Sequence, residues 1–333
     1  GVWIMAYTTI DDPEAYFQTK IWAGTGSAHS QTFDGDTDMQ PDLVWIKNRG
    51  TSTNHEVADS VRGVNKLLKP NDTDAEQSLT TKITAFNSDG FSVGTDANVN
   101  QSAKDQVAWC WKESATAGFD IVAYTGNGTD DTDISHSLSA VPKMIIVKNS
   151  DAADAWQVYH GANTAAPETD YLVLNDVPAT ADAADRWSDE APTSSVFTLG
   201  DGVEVNTNTE DYIAYLFRDV QGFSKFGSYT GNADADGTFV YTGFRLAFIL
   251  FKRTDSTSEW SIFDTKRNTY NIVNHHLYAD LPNAEGDDDD FDITANGFKH
   301  RRDSNVNKAG TYIYMAFAEA PFVNSNGVPN NAR

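Results

Sequence analysis

The chain has 333 residues, more than one hydrophobic core usually serves, and its 40 % hydrophobic and 12 % aromatic residues run from end to end, which excludes wholesale disorder. Forty-eight Asp and Glu against 24 Lys and Arg leave a formal charge of -24, a surface that repels phosphate backbones and excludes bulk electrostatic binding of nucleic acid. One cysteine excludes an internal disulfide, and no run of about 18 apolar residues offers a membrane-inserting helix.

In chain order, Met5 reads as a chain start preceded by a short extension, and Asp12 before Pro13 in "DDPEAYF" predicts a capped helical turn. A strand running into a glycine then recurs three times: "IWAGTG" at 21–26, "VAYTGNG" at 122–128 and "GSYTGN" at 227–232. Gly24, Gly126 and Gly231 are 102 and 105 residues apart, and tolerance of positive φ in a tight turn is the expected reason for them. The next string is "PDLVWIKN" at 41–48, "KMIIVKN" at 143–149 and, more weakly, "RLAFILFKR" at 245–253. Its continuous apolar run predicts a strand buried on both faces. Its closing lysines, Lys47, Lys148 and Lys252, are expected to rest their alkyl stems on apolar neighbours with the ammonium in water.

A tryptophan strand follows in "WQVYH" (156–160) and "WSIFD" (260–264), where the first copy has "HEVAD" (55–59). Then come Phe-Ser-Val-Gly at 91–94, Phe-Thr-Leu-Gly at 197–200 and the looser Gly297-Phe298-Lys299. Each copy closes on an aromatic strand preceded by asparagines, with Trp111, Phe217 and Phe317 spaced by 106 and 100 residues. A polar tail runs from Asn324. These elements predict an all-β chain: three tandem antiparallel β-sandwich repeats, jelly-roll-like, over 21–115, 116–222 and 223–320, between an N-terminal segment (1–20) and a C-terminal tail (321–333). A period near 100 exceeds the ~20–50 residues of solenoid units, so each repeat is expected to hold its own core, and short connections to keep the repeats packed together.

Chemistry is sparse. There is no Gly-x-Ser-x-Gly elbow, no His-Glu-x-x-His and no phosphate-binding loop, so no catalytic or cofactor-binding residue is named and a non-enzymatic role is expected. Asn232, Asp234 and Asp236 in "NADADG" match the opening of a calcium loop, but Gly243 stands where the bidentate Glu belongs. The trio Asp34, Asp36, Asp38 and the run Asp287 to Asp290 offer oxygens without a cage, and solvated loops are the preferred reading. His275 and His276 are neighbours that would point to opposite faces of a strand. Cys110 is expected to be a small buried hydrophobe. Trp187 and Tyr278, aromatics outside the apolar strands, are the candidates for stacking on a sugar.

The stretch "MAYTTIDDPEAYFQTKIWAGTGS" from Met5, the block "PDLVWIKNRG" with "DSVRG", the stretch "FNSDGFSVG" and the finish "YIYMAFAEAPFVNSNGVPNNAR" resemble a family of virion proteins from tailed bacteriophages, many of them marine. Its members look like tail-fibre or other appendage components. The resemblance implies a place on the particle surface and partners among other virion proteins of the tail or capsid. It also implies a homo-oligomer, by preference a trimer, and contact with a host-surface glycan or receptor. A capsid decoration or head fibre is one alternative, and a carbohydrate-binding adhesin or polysaccharide depolymerase is another.

Overall fold

The computed structural model describes residues 7–287 and 291–332; the Met5 start and residues 288–290 of the acidic run lie outside the described residues. The chain is nearly all β. Asp12 caps a single turn, Pro13–Ala15, by accepting a hydrogen bond from the Glu14 amide at 3.0 Å, as its place before a proline predicts.

Three large antiparallel sheets follow, and their first four strands are ordered alike. The first sheet runs Phe17–Ala23, Asp105–Trp111, Leu43–Asn48, Glu56–Asp59. The second runs Phe119–Thr125, Asp211–Phe217, Met144–Asn149, Gln157–His160, and adds two short strands. The third runs Ser224–Gly231, Gly310–Pro321, Phe244–Arg253, Ser261–Asp264, and adds Leu277–Tyr278. The first sheet begins four residues before position 21, because the polar Gln18, Thr19 and Lys20 hide a strand from a hydrophobic scan.

Each large sheet is apolar on both faces, so each face needs cover. One face packs on a smaller sheet. Gly90–Val93 lies over the first, Val196–Leu199 over the second and Gly297–His300 over the third, giving separate clusters around Phe91, Phe197 and Phe298. The other faces converge. Alternate residues of all three sheets, such as Trp45, Trp109 and Trp111, then Ile146, Tyr215 and Phe217, then Leu250, Met315 and Phe317, form one shared cluster. Each large sheet with its small sheet thus has a cluster of its own, and a further cluster that the sequence did not announce joins the three large sheets. At its centre Trp111, Phe217 and Phe317 form a triangle with ring centroids 6.5, 6.0 and 5.8 Å apart. Double cover explains why Leu43–Asn48 and Met144–Asn149 are buried at every position.

Polar bonds close the ring of sheets, each kind recurring at all three seams. Trp156 Nε1 donates to the Lys69 carbonyl at 3.0 Å, Trp260 Nε1 to the Val173 carbonyl at 2.8 Å, and His55 Nε2 to the Tyr278 carbonyl at 2.9 Å. The histidine of the first copy thus replaces the tryptophan without losing its bond. Backbone amides of Glu76, Thr180 and Glu285 donate to the carbonyls of Ser150, Thr254 and Arg49 at 2.8, 2.9 and 2.9 Å. Two seams add buried ion clusters: Arg62 joins Asp59 and Glu76 at 2.6 and 3.1 Å, and Arg267 joins Asp264 and Glu285 at 2.5 and 2.9 Å. Tyr215 Oη and Trp109 Nε1 bond those same aspartates across the seams at 2.7 and 2.9 Å. The remaining seam has no such cluster at the corresponding positions, where His160 donates to the Tyr314 carbonyl at 3.2 Å and Thr180 Oγ1 to Asn163 at 2.8 Å.

The recurring glycines and asparagines have different reasons from those the sequence suggests. A Cβ on Gly24, Gly126 or Gly231 would lie 2.2, 2.2 or 2.3 Å from the carbonyl oxygen of Gln101, Thr207 or Lys308, so a close backbone approach, not positive φ, excludes a side chain. The buried Asn100, Asn206 and Asn307 hold this approach. Their amide groups donate to the carbonyls of Gly94, Gly200 and Arg302 at 2.7, 2.9 and 2.9 Å.

Phe217→Ala is expected to cost about 3–5 kcal/mol, because the rigid triangle cannot collapse into the void. Fluorescence and circular dichroism should follow one common denaturant transition shifted to lower midpoint; separate transitions for the three sheets would contradict the shared core. At the seam without an ion cluster, His160 Nε2 donates and Nδ1 accepts from the Ala162 amide at 3.2 Å, which only the uncharged ring can do. Burial pushes its pKa down to about 4. The unfolded chain takes up this proton first, so the stability from His160 is complete above pH ~6.5 and is lost as pH falls towards 4, by roughly 3 kcal/mol. His160→Gln should flatten the fall in urea midpoint over that window; an unchanged slope would show that His160 does not contribute it.

Candidate functional site

The residues singled out in the sequence do not gather into one site. Trp187 ends a short helix, Ala184–Trp187, and is 2 % exposed, with its Nε1 donating to the Asp170 carbonyl at 3.1 Å and its ring edge-on to Tyr159. It is a core residue of the second sheet pair, so its reading as an exposed stacking platform is corrected. Tyr278 is half-buried in a two-residue strand, its ring 4.7 Å from that of His276 and its carbonyl taken by His55. It belongs to a seam.

The calcium candidates turn inward on their own backbone. Asn232 Oδ1 accepts from the Asp234 amide at 3.2 Å, Asp234 Oδ1 from the Asp236 amide at 2.8 Å, and Asp236 pairs with Lys299 at 2.7 Å. Among the described residues no three His, Cys, Asp or Glu are arranged to hold a metal ion. Asp34 pairs with Lys266 at 3.1 Å, and Asp36 donates its amide to Glu14 at 2.8 Å. His276 is buried, whereas His275 stands partly exposed 3.8 Å from Glu285. Cys110 is fully buried, and burial pushes its thiol pKa well up, which leaves it inert.

The three strand-end lysines contradict the expectation of hydrated ammonium groups. Lys47 and Lys148 are 0 % exposed and Lys252 is 1 % exposed. Lys47 Nζ donates to the carbonyls of Asn48 and Thr51 at 2.6 and 3.2 Å, and Lys148 Nζ to those of Asn149 and Ala152 at 2.6 and 2.9 Å. Lys252 Nζ reaches Ser258 and, across a seam, Val177 at 2.8 Å. Burial pushes each pKa down to about 8. These lysines pin the loop that leaves the strand, and the carbonyls they satisfy are invisible to residue patterns because every residue has one.

Acidic residues that follow the closing strand mark the junctions between successive sheets. Glu113 Oε1 accepts from the Ile121 amide at 3.3 Å, and Asp219 Oδ1 accepts from the Phe226 amide at 2.8 Å, each on the first strand of the next sheet. Glu113 also hydrogen-bonds the buried Asp120, and Asp42 accepts the Glu113 amide at 2.8 Å. Burial first, then the bond to Asp120, lifts the Glu113 pKa to about 7, so this carboxyl is poised to hold a proton near neutrality. Beside Asp219 lies a groove of about 280 Å³ that Tyr7, Gln221, Lys225 and Tyr241 also line. Sequence reasoning missed it because its walls come from positions 7, 219–225 and 241–243, which only the fold brings together.

Because the folded pKa of Glu113 exceeds that of the unfolded chain, its stabilisation is complete below pH ~4.5 and is lost as pH rises through 7. Glu113→Gln should match the wild-type melting temperature at pH 4.5 and exceed it at pH 8. A difference that stays constant across that range would exclude a shared proton.

No curated protein matches the chain. A family model described as Domain of unknown function (DUF7483) matches residues 12–321, from the cap of the first turn to the last residue of the final strand. With nearly its whole length covered, the chain belongs to the DUF7483 family.

Proposed function

We propose that the chain is a non-enzymatic structural protein of a tailed-phage particle, exposed on its surface as a tail fibre or related appendage and serving assembly and host attachment. The observation that carries this reading is the ring itself. Three like-ordered sheets about one aromatic triangle give a single polypeptide three near-equivalent edges, a shape suited to symmetric neighbours. The groups best placed for chemistry support a body built for rigidity. Lys47, Lys148 and Lys252, the imidazoles of His55 and His160, and the clusters of Arg62 and Arg267 all bind loops or neighbouring sheets. The resemblance of both chain ends to tailed-phage virion proteins supports a place on the particle.

The same ring favours a second reading, a capsid decoration or head-fibre protein in which one chain seats on a threefold position. A fibre would instead be a homotrimer. Protein analysis of purified particles, together with light scattering of the isolated chain, tests both. The chain is expected among virion proteins, with the mass of three chains for a fibre and of one for a threefold-seated decoration; absence from washed particles would end the proposal.

A further inference from the structure

We propose that the groove between the N-terminal segment, residues 219–225 and the turn at 241–243 is a binding site for an uncharged sugar. The proposal deepens the host-attachment part of the reading above and depends on that reading only for where the sugar would come from.

The third sheet pair departs from the other two on the outward face of one strand of its small sheet. In the strands paired to Phe91, Phe197 and Phe298, the inward residues are Gln31, Ile134 and Val240. The residues flanking them point outward. They are Ser30 and Thr32 in the first copy and Asp133 and Ser135 in the second, but Phe239 and Tyr241 in the third. Those two rings are 47 % and 48 % exposed. The fold tolerates small polar groups at both positions, so packing does not require the aromatics there; of the two, Tyr241 lines the groove, and an exposed ring on a groove wall is the usual mark of a ligand surface.

The groove floor supplies matching polar chemistry. Tyr7 Oη donates to the Gly243 carbonyl at 2.9 Å and stands 2.9 Å from Tyr241 Oη, so the Tyr241 hydroxyl donates to Tyr7 and keeps its own lone pairs open. Asp219 uses one oxygen on the Phe226 amide and has the other to offer. Among the described residues the Lys225 ammonium and the Gln221 side-chain amide take no hydrogen bond or ion pair. A carboxylate, an ammonium, an amide and a phenol, with rings at the rim, are what vicinal hydroxyls and the apolar face of a pyranose recognise. The volume of about 280 Å³ suits one ring better than an extended chain. Asp219 offsets Lys225, and the net charge of -24 repels anionic sugars, so the ligand is uncharged.

Ligand-observed NMR on the full chain tests this with glucose, galactose, mannose and N-acetylglucosamine, and with glucuronate as the charged comparison. At least one neutral sugar is expected to bind saturably. The affinity should fall about tenfold or more in Tyr241→Ala and in Lys225→Met, and less in Tyr241→Phe, which keeps the ring. Unchanged melting curves would certify that the variants fold; if Tyr241→Ala does not, Lys225→Met and Gln221→Ala decide. No binding of any neutral sugar at ~10 mM, variants that bind like wild type, or binding of glucuronate alone would each overturn the site. A chain found on particles that binds no neutral sugar would sink the groove and leave the virion assignment standing, whereas sugar binding by a chain absent from particles would do the reverse.

Discussion

An antiparallel sheet with two apolar faces cannot stand alone in water, and this requirement organises the whole molecule. One face of each large sheet is covered by a small sheet whose strands lie between the first and last strands of that large sheet in the chain. The other face can be covered only by the two remaining large sheets, which is why Trp111, Phe217 and Phe317 meet. Bulky rings suit the meeting point, because three strand faces converging on one line leave a space that aliphatic side chains would underfill.

Apolar burial explains why the sheets meet but does not fix their rotation about one another. That information lies in directional bonds at the seams, where indole, imidazole and backbone amide donors each find a carbonyl. The seams differ in electrostatics. Two contain buried Arg–carboxylate clusters, and the third replaces them with histidine, asparagine and threonine. Breaking one partner of a buried ion pair leaves a charge uncompensated, so a seam accepts wholesale exchange of the cluster more readily than the loss of one member. The arrangement at positions 160, 163 and 180 is that exchange within a single chain.

Much of the fold was legible in the residues because strand burial imprints directly on side-chain choice. The unbroken apolar runs at 43–46 and 144–147 announce two covered faces, and the spacing of Trp111, Phe217 and Phe317 announces a shared position, although not that the rings touch. The candidate site was poorly legible. Trp187 looked available because it sits amid polar residues, but a short helix turns it into the core. Tyr241 drew no notice because a tyrosine in an alternating strand is ordinary until the equivalent Thr32 and Ser135 are aligned by register.

By itself the sequence determined that the chain is built of antiparallel strands, where the principal ones lie and which of their residues avoid water, since these follow from local alternation and hydrophobicity. Only the tertiary structure decided that the sheets share a central core, that Lys47, Lys148 and Lys252 are buried, and that Gly24, Gly126 and Gly231 are fixed by a neighbouring carbonyl. The reason is physical: such contacts join backbone atoms and distant side chains, and backbone carbonyls carry no residue identity by which a sequence could name them.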